Sequence, residues 1–120
     1  MRPTSKTVLT DSVKITEVGG VKMERFVKAD GSLCLDNEKA YGVSQVDADC
    51  DEMCPVDVYG IVIIEAGDGV DETSIPIGAP VTSDAFGKAK KNDSVSIFNH
   101  NGFAVTGASA SGIGLAIKLA

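Results

Sequence analysis

The chain reads as an all-β protein, a barrel or a sandwich, and three observations carry that expectation. Its 120 residues hold many short runs bounded by Gly, Pro, Asn and Asp. No apolar stripe at i, i+3, i+4, i+7 is sustained anywhere, so no amphipathic helix is expected. The organising stretch is Val56-Asp-Val-Tyr-Gly-Ile-Val-Ile-Ile-Glu-Ala-Gly67. It starts with strand alternation and then becomes apolar on both faces at Ile61, Val62, Ile63 and Ile64. Such a strand needs cover on both sides, from a second sheet, a closed barrel or another subunit. Gly60 marks the change and predicts a bend or bulge.

The totals bound the rest. A chain of 120 residues is one domain. It is long enough to fold without a metal or a disulfide. With no Trp and 5% aromatics the core is aliphatic. The formal net charge of −6 argues against nucleic-acid binding. Arg2 and Lys6 stand in a start that has no acid, so a basic arm precedes an acidic body. Residues 1–20 lack the apolar run of a secretory signal, and no stretch reaches the length of a membrane span. Synthesis in a cytoplasm is expected, with free thiols as the first reading of Cys34, Cys50 and Cys54.

In chain order, residues 1–10 are expected as an extended arm and 11–120 as the folded body. Thr7–Thr10 and Val13–Val18 are short β-like runs. Gly19-Gly20 is a turn, and 21–29 is a candidate strand. Asp30-Gly31 signals a hairpin, with Ser32–Leu35 returning. Tyr41–Val46 is a strand and Asp47–Glu52 an acidic loop. The organising strand follows Pro55, and 67–74 is a polar connection. Ile75–Thr82 is extended, its two prolines suiting a sheet edge. Ser83-Asp-Ala-Phe-Gly87 is a tight turn: Ser and Asp can bond nearby backbone N–H groups, and Gly87 can take a positive φ. Lys88–Lys91 returns from it. Ser94–Phe98 and Phe103–Thr106 are short strands. Ile113, Leu115, Ile117 and Leu119 alternate strictly, so the last element is a strand.

Candidate chemistry is thin. Val105-Thr-Gly-Ala-Ser-Ala-Ser-Gly-Ile-Gly114 looks like the nucleotide loop of short-chain dehydrogenases. The glycine spacing is one residue too long, and no βαβ unit follows. Neither Tyr41 nor Tyr59 has a Lys four residues on. Asp47, Asp49 and Asp51 have the opening spacing of a calcium loop, but Glu52 and Val58 stand where Gly and Glu are needed. Cys34, Cys50, Cys54 and His100 do not make paired zinc-ligand spacings. His100 has no nucleophile or acid beside it in sequence. The expectation is no catalytic residue, no cofactor and no metal.

Laid in order, the segments Arg25-Phe-Val-Lys28, Tyr41-Gly-Val-Ser44, Val56-Asp-Val-Tyr-Gly-Ile61, Ile77-Gly-Ala-Pro-Val-Thr-Ser-Asp-Ala-Phe-Gly-Lys-Ala89 and Gly102-Phe-Ala-Val-Thr-Gly-Ala-Ser-Ala-Ser-Gly112 form a pattern. It resembles the small capsid decoration, or cement, proteins of tailed bacteriophages over residues 7–120. The resemblance implies a β-barrel-like or tulip-like fold on the capsid exterior, bound to the major capsid protein. It implies a homotrimer where capsomers meet, holding the shell against packed DNA, with no direct nucleic-acid or membrane partner. Contacts to capsid or subunit are expected at Arg2, Lys6, Val8 and Leu9 in the arm and at Ile61 and Ile63 in the two-sided strand. The arm is expected to add a strand to an exposed edge of the shell. Cys34, Cys50 and Cys54 depart from the family pattern and leave a disulfide, within or between subunits, as an open reading. A free-standing barrel that binds a ligand or peptide is the alternative function, and predicts a stable monomer with an open pocket.

Overall fold

The computed structural model describes residues 6–67, 75–92, 100–107 and 114–119, with backbone alone for 6–8. The expected strand at 94–98 lies outside them, as does Arg2. Among the described residues there are strands and no helix. They are β1 (Lys6–Lys14), β2 (Phe26–Val27), β3 (Gly42–Ser44), β4 (Met53–Glu65), β5 (Pro80–Ser83), β6 (Ala89–Lys91), β7 (Gly102–Ala104) and β8 (Gly114–Leu119). They form one sheet in the order β2-β3-β4-β8-β7-β5-β6, with β1 also on β4.

β4 is the spine. Ile61 pairs with Lys6 of β1 and with Lys118 of β8, so those two strands lie on opposite edges. β3 pairs with Val56 and Asp57 below β8. All the even positions from Cys54 to Ala66 except half-buried Val58 are buried, which is the strand period the sequence predicts. The irregularity expected at Gly60 is present. Gly60 has φ 111°, and the register with β1 shifts on both sides of the Leu9–Tyr59 pair. Val8 is the extra residue on β1 and Val58 the extra one on β4, so the two shifts compensate and pairing continues to Lys14–Met53.

Continuous pairing changes the expected start of the chain. Residues 6–10, read from sequence as part of an arm, are the first half of β1. The two short runs read there become a single strand that stops at Lys14. The 21–29 run is also cut down. Glu24 sits at φ 61°, a left-handed value that breaks the extended backbone, and only Phe26–Val27 remains ladder. The Asp30-Gly31 hairpin forms as expected, with Gly31 N–H donating to the Lys28 carbonyl and Lys28 N–H to that of Ser32.

The barrel closes through β6. From β4 the path runs β8, β7, β5, β6, and an isolated parallel bridge from Ala89 to Ala66 returns it to the end of β4. The Gly67 N–H donates to the Ala89 carbonyl at 2.9 Å. β5 is therefore interior to the sheet, between β7 and β6, and not the edge its prolines suggested. Pro80 is tolerated because it is the first residue of the strand, and Pro76 opens a turn in which Ala79 N–H donates to its carbonyl.

Two apolar clusters fill the fold. One lies inside the closed barrel and includes Phe26, Cys34, Val62, Ile64, Val81, Ala89, Leu115 and Ile117. The other, with Val13, Ile15, Val21, Val27, Cys54 and Val56, packs under β1, β2 and β3. β4 runs through both.

Candidate functional site

The odd positions of β4 form an outer face. Residues directly opposite in an antiparallel pair share a face. Lys6 lies opposite Ile61, Ile61 opposite Lys118, Lys118 opposite Phe103, and Phe103 opposite Pro80. One step away, Leu9 lies opposite Tyr59, and on the other side Ile63 lies opposite Ala116. Leu9 is 57% exposed, Tyr59 51%, Phe103 47% and Val105 43%. Ile61 and Ile63 are half-buried, so the second side expected to be covered is covered only in part. A barrel wall that leaves this much apolar surface in water has the character of a contact face.

Lys118 is exposed and sits at the centre of this row, its Nζ 5.8 Å from the Tyr59 ring centroid. Phe103 meets the His100 ring edge-on, 5.8 Å between centroids. Glu65 closes the upper end, neutralised by Arg25 at 2.5 Å. Asp57 closes the lower end. It is buried and accepts hydrogen bonds from Thr10 Oγ1 at 3.1 Å and from the Gln45 amide. Tyr41 OH donates to Asp11 at 2.6 Å, which raises the phenol above its ordinary range.

The expected contact residues divide accordingly. Leu9, Ile61 and Ile63 belong to the face, Lys6 and Val8 are in β1 at its margin, and Arg2 is outside the described residues. Tyr59, Phe103 and Lys118 were not expected. Each stands at a wet position of its own strand, and only the register across β4, β8 and β7 puts them together.

The cysteines are free. Cys34 is in the barrel core and Cys54 in the second core, while Cys50 is exposed in the acidic loop. A thiol buried in each of two separate cores and one on the surface stand unpaired within the chain. Burial pushes the Cys34 thiol up to about 12, and Cys54 also rises by burial. Among the described residues no three His, Cys, Asp or Glu side chains group as a metal site. In the acidic loop the carboxylates serve as caps: Asp47 accepts from Met23 N–H at 2.8 Å and Glu52 from Asp49 N–H at 2.6 Å. The glycine-rich string after Val105 lies mostly outside the described residues, and β8, which follows it, runs antiparallel to both its neighbours.

The turn motif is structural. Asp84 Oδ1 accepts from Phe86 and Lys88 N–H at 2.8 and 2.9 Å. Ser83 differs from expectation, since its hydroxyl donates to the Asp84 carbonyl at 2.8 Å. Gly87 has φ 75°, and its carbonyl accepts from Phe26 N–H at 2.7 Å. Two surface clefts of about 390 and 340 Å³ share Lys22 and Arg25 in their walls, and the smaller also has Phe86 and Lys88 of this turn in its wall.

A family model described as phage cement protein matches residues 6–119. Among solved structures the chain is similar to the N base of head fiber gp8.5 of bacteriophage phi29. The two share 20% identity with a TM-score of 0.69, covering 93% of this chain and 95% of that one. At that identity the likeness establishes a shared fold. No curated protein sequence matches the chain significantly.

Proposed function

The chain belongs to the phage cement protein family, a structural class of capsid-binding proteins, and from that premise we propose how it serves the shell. It decorates the outside of an assembled capsid and is held there by the major capsid protein. It is made in the host cytoplasm and assembles with itself, as a homotrimer, where capsomers meet. Its role is mechanical: it adds contacts that oppose the pressure of packed DNA, and no chemical step is assigned to it. The observation that carries this reading is the family match over 6–119, which takes in every described strand.

The outer face supports it. Leu9, Ile61 and Ile63, with Lys6 and Val8 in β1, supply contact to the shell or to a neighbouring subunit. Arg2 extends the same basic start. Buried Cys34 and Cys54 take no part in a covalent link between subunits, and exposed Cys50 is the one thiol placed for such a link.

Co-sedimentation with preassembled shells of the cognate capsid tests the role. Saturable binding is expected, together with a higher force or temperature for shell rupture. A protein that stays in the supernatant at every shell concentration overturns it. Light scattering on the free protein, with and without reductant, measures self-association and is expected to give the same trimer mass in both.

A further inference from the structure

Along β4 the outer face carries opposite charge at two levels. At the upper level, short of the neutralised Glu65–Arg25 pair, Lys118 lies opposite Ile61, with Lys6 on the other side of the same residue. At the lower level the exposed loop Asp49-Cys-Asp-Glu52 leads directly into Met53. Its three acids outweigh exposed Lys14, which lies opposite Met53. Between the two levels stand Tyr59 and Leu9. Met53 and Ile61 are eight positions apart along β4, roughly 25 Å at the rise of a β-strand. A lysine side chain cannot cross that span, so the loop and Lys118 do not neutralise each other within one molecule. The other acids near the face have partners within the molecule: Glu65 has Arg25, buried Asp57 has Thr10 and Gln45, and Asp11 has the Tyr41 hydroxyl.

We propose that this face mates with a second copy of the chain, Lys118 of one copy lying against the Asp49–Glu52 loop of the next and the Tyr59–Leu9 pair filling the centre. The inference rests on the self-association proposed above and assigns its surface. Charge complementarity selects this occupant. A face with a cation on one side, acids on the other and an apolar middle is complementary to its neighbour around a three-fold axis, the cationic side of one copy meeting the acidic side of the next. In-register stacking instead sets Lys118 against Lys118 and is disfavoured.

Light scattering over a concentration series of the full chain tests this with a charge swap. Lys118→Glu alone is expected to raise the dissociation constant about tenfold, and Asp49→Lys with Asp51→Asn alone by a similar factor. All three changes in one chain should restore it to within about threefold of the original, because only a direct pairing is rescued by reversal. Tyr59→Ser is the second probe and should weaken association without altering its salt dependence. Each variant should melt cooperatively as the parent does. The inference is overturned if Lys118→Glu leaves the mass unchanged, or if the combined variant is weaker than either parent variant. A parent chain that is monomeric at every concentration also overturns it. The cement role stands or falls separately, on co-sedimentation of the same samples with shells.

Discussion

Ala89 meets Ala66 in a parallel bridge, and that contact turns an open sheet into a barrel. Both residues are fully buried, and the adjoining Gly67 N–H to Ala89 carbonyl bond fixes their approach. The closure needs small side chains because two backbones converge there.

Ala89→Leu should therefore destabilise the fold by about 1–3 kcal/mol through overpacking. The midpoint of urea denaturation measures it. An unchanged midpoint would mean that the barrel is open at this seam.

Gly87 combines a left-handed backbone with a tight surround. A Cβ there would stand 2.6 Å from Leu33 Cδ1 and 3.2 Å from the Phe26 carbonyl oxygen. Gly19 has a similar φ, 88°, and nothing within 4 Å. Gly87→Ala should cost about 1–3 kcal/mol, and distinctly more than Gly19→Ala. Equal losses from the two variants would show that strain alone acts and that the contact with Leu33 does not matter.

Asn101 pins the 38–40 loop to β7. Its Oδ1 accepts from Ala40 N–H at 2.8 Å, and its Nδ2 donates to the Glu38 carbonyl at 3.0 Å. Asn101→Ala leaves both groups without that partner and should lose about 1–3 kcal/mol. Amide exchange at Ala40 should accelerate in the variant, and an unaltered rate would refute the pinning role.

Thiol reactivity should separate the three cysteines. Iodoacetamide at mildly alkaline pH is expected to add to Cys50 alone in the folded protein, and to all three after denaturation. Mass spectrometry of the intact chain reads the number of adducts. Labelling of Cys34 or Cys54 at the rate of Cys50 would contradict their burial.

Cys34 also sets an alkaline limit. Its folded value of about 12 lies above the ordinary 9.0 because burial disfavours the thiolate. A raised value stabilises the fold below pH 9, and that contribution disappears as pH climbs from 9 towards 12. Lys28, raised by its bond to Glu38, and Tyr41, raised by Asp11, act in the same direction. The comparison with Cys34→Ala isolates the thiol. Melting temperature should fall across this window in the parent and fall less steeply in the variant. Parallel curves would remove Cys34 as the cause.

The family segments turn out to be parts of the scaffold. Gly42-Val-Ser44 is β3, buried throughout, with Ser44 Oγ accepting from Arg25 N–H at 3.2 Å and donating to the Lys22 carbonyl at 2.6 Å. The segment from Gly78 to Ala89 holds the turn before β5, the Asp84 cap and the closing bridge. The Asp84 cap and the turn before β5 are local, made by residues close in sequence, and so their residue types were legible; the Ser44 bonds and the closing bridge join residues distant in the chain. The bulge at Gly60 and the Asp30-Gly31 hairpin were legible for the same reason.

What the sequence by itself determined was the set of strands, their inward positions and the turns between them. Period two states which residues of one strand share a face, and turn chemistry states where the chain reverses. Neither states which strands become neighbours. Pairing decided that β5 is interior despite its prolines, that residues 6–10 join the sheet, and that β4 serves two cores. It also gathered Leu9, Tyr59, Phe103 and Lys118 onto one face, in adjacent rows. That face depends on the compensating shifts at Val8 and Val58 and on closure at Ala66 and Ala89, contacts between residues far apart in the chain. Their register is set by burial of the two cores together, a property of the folded whole and of no single segment.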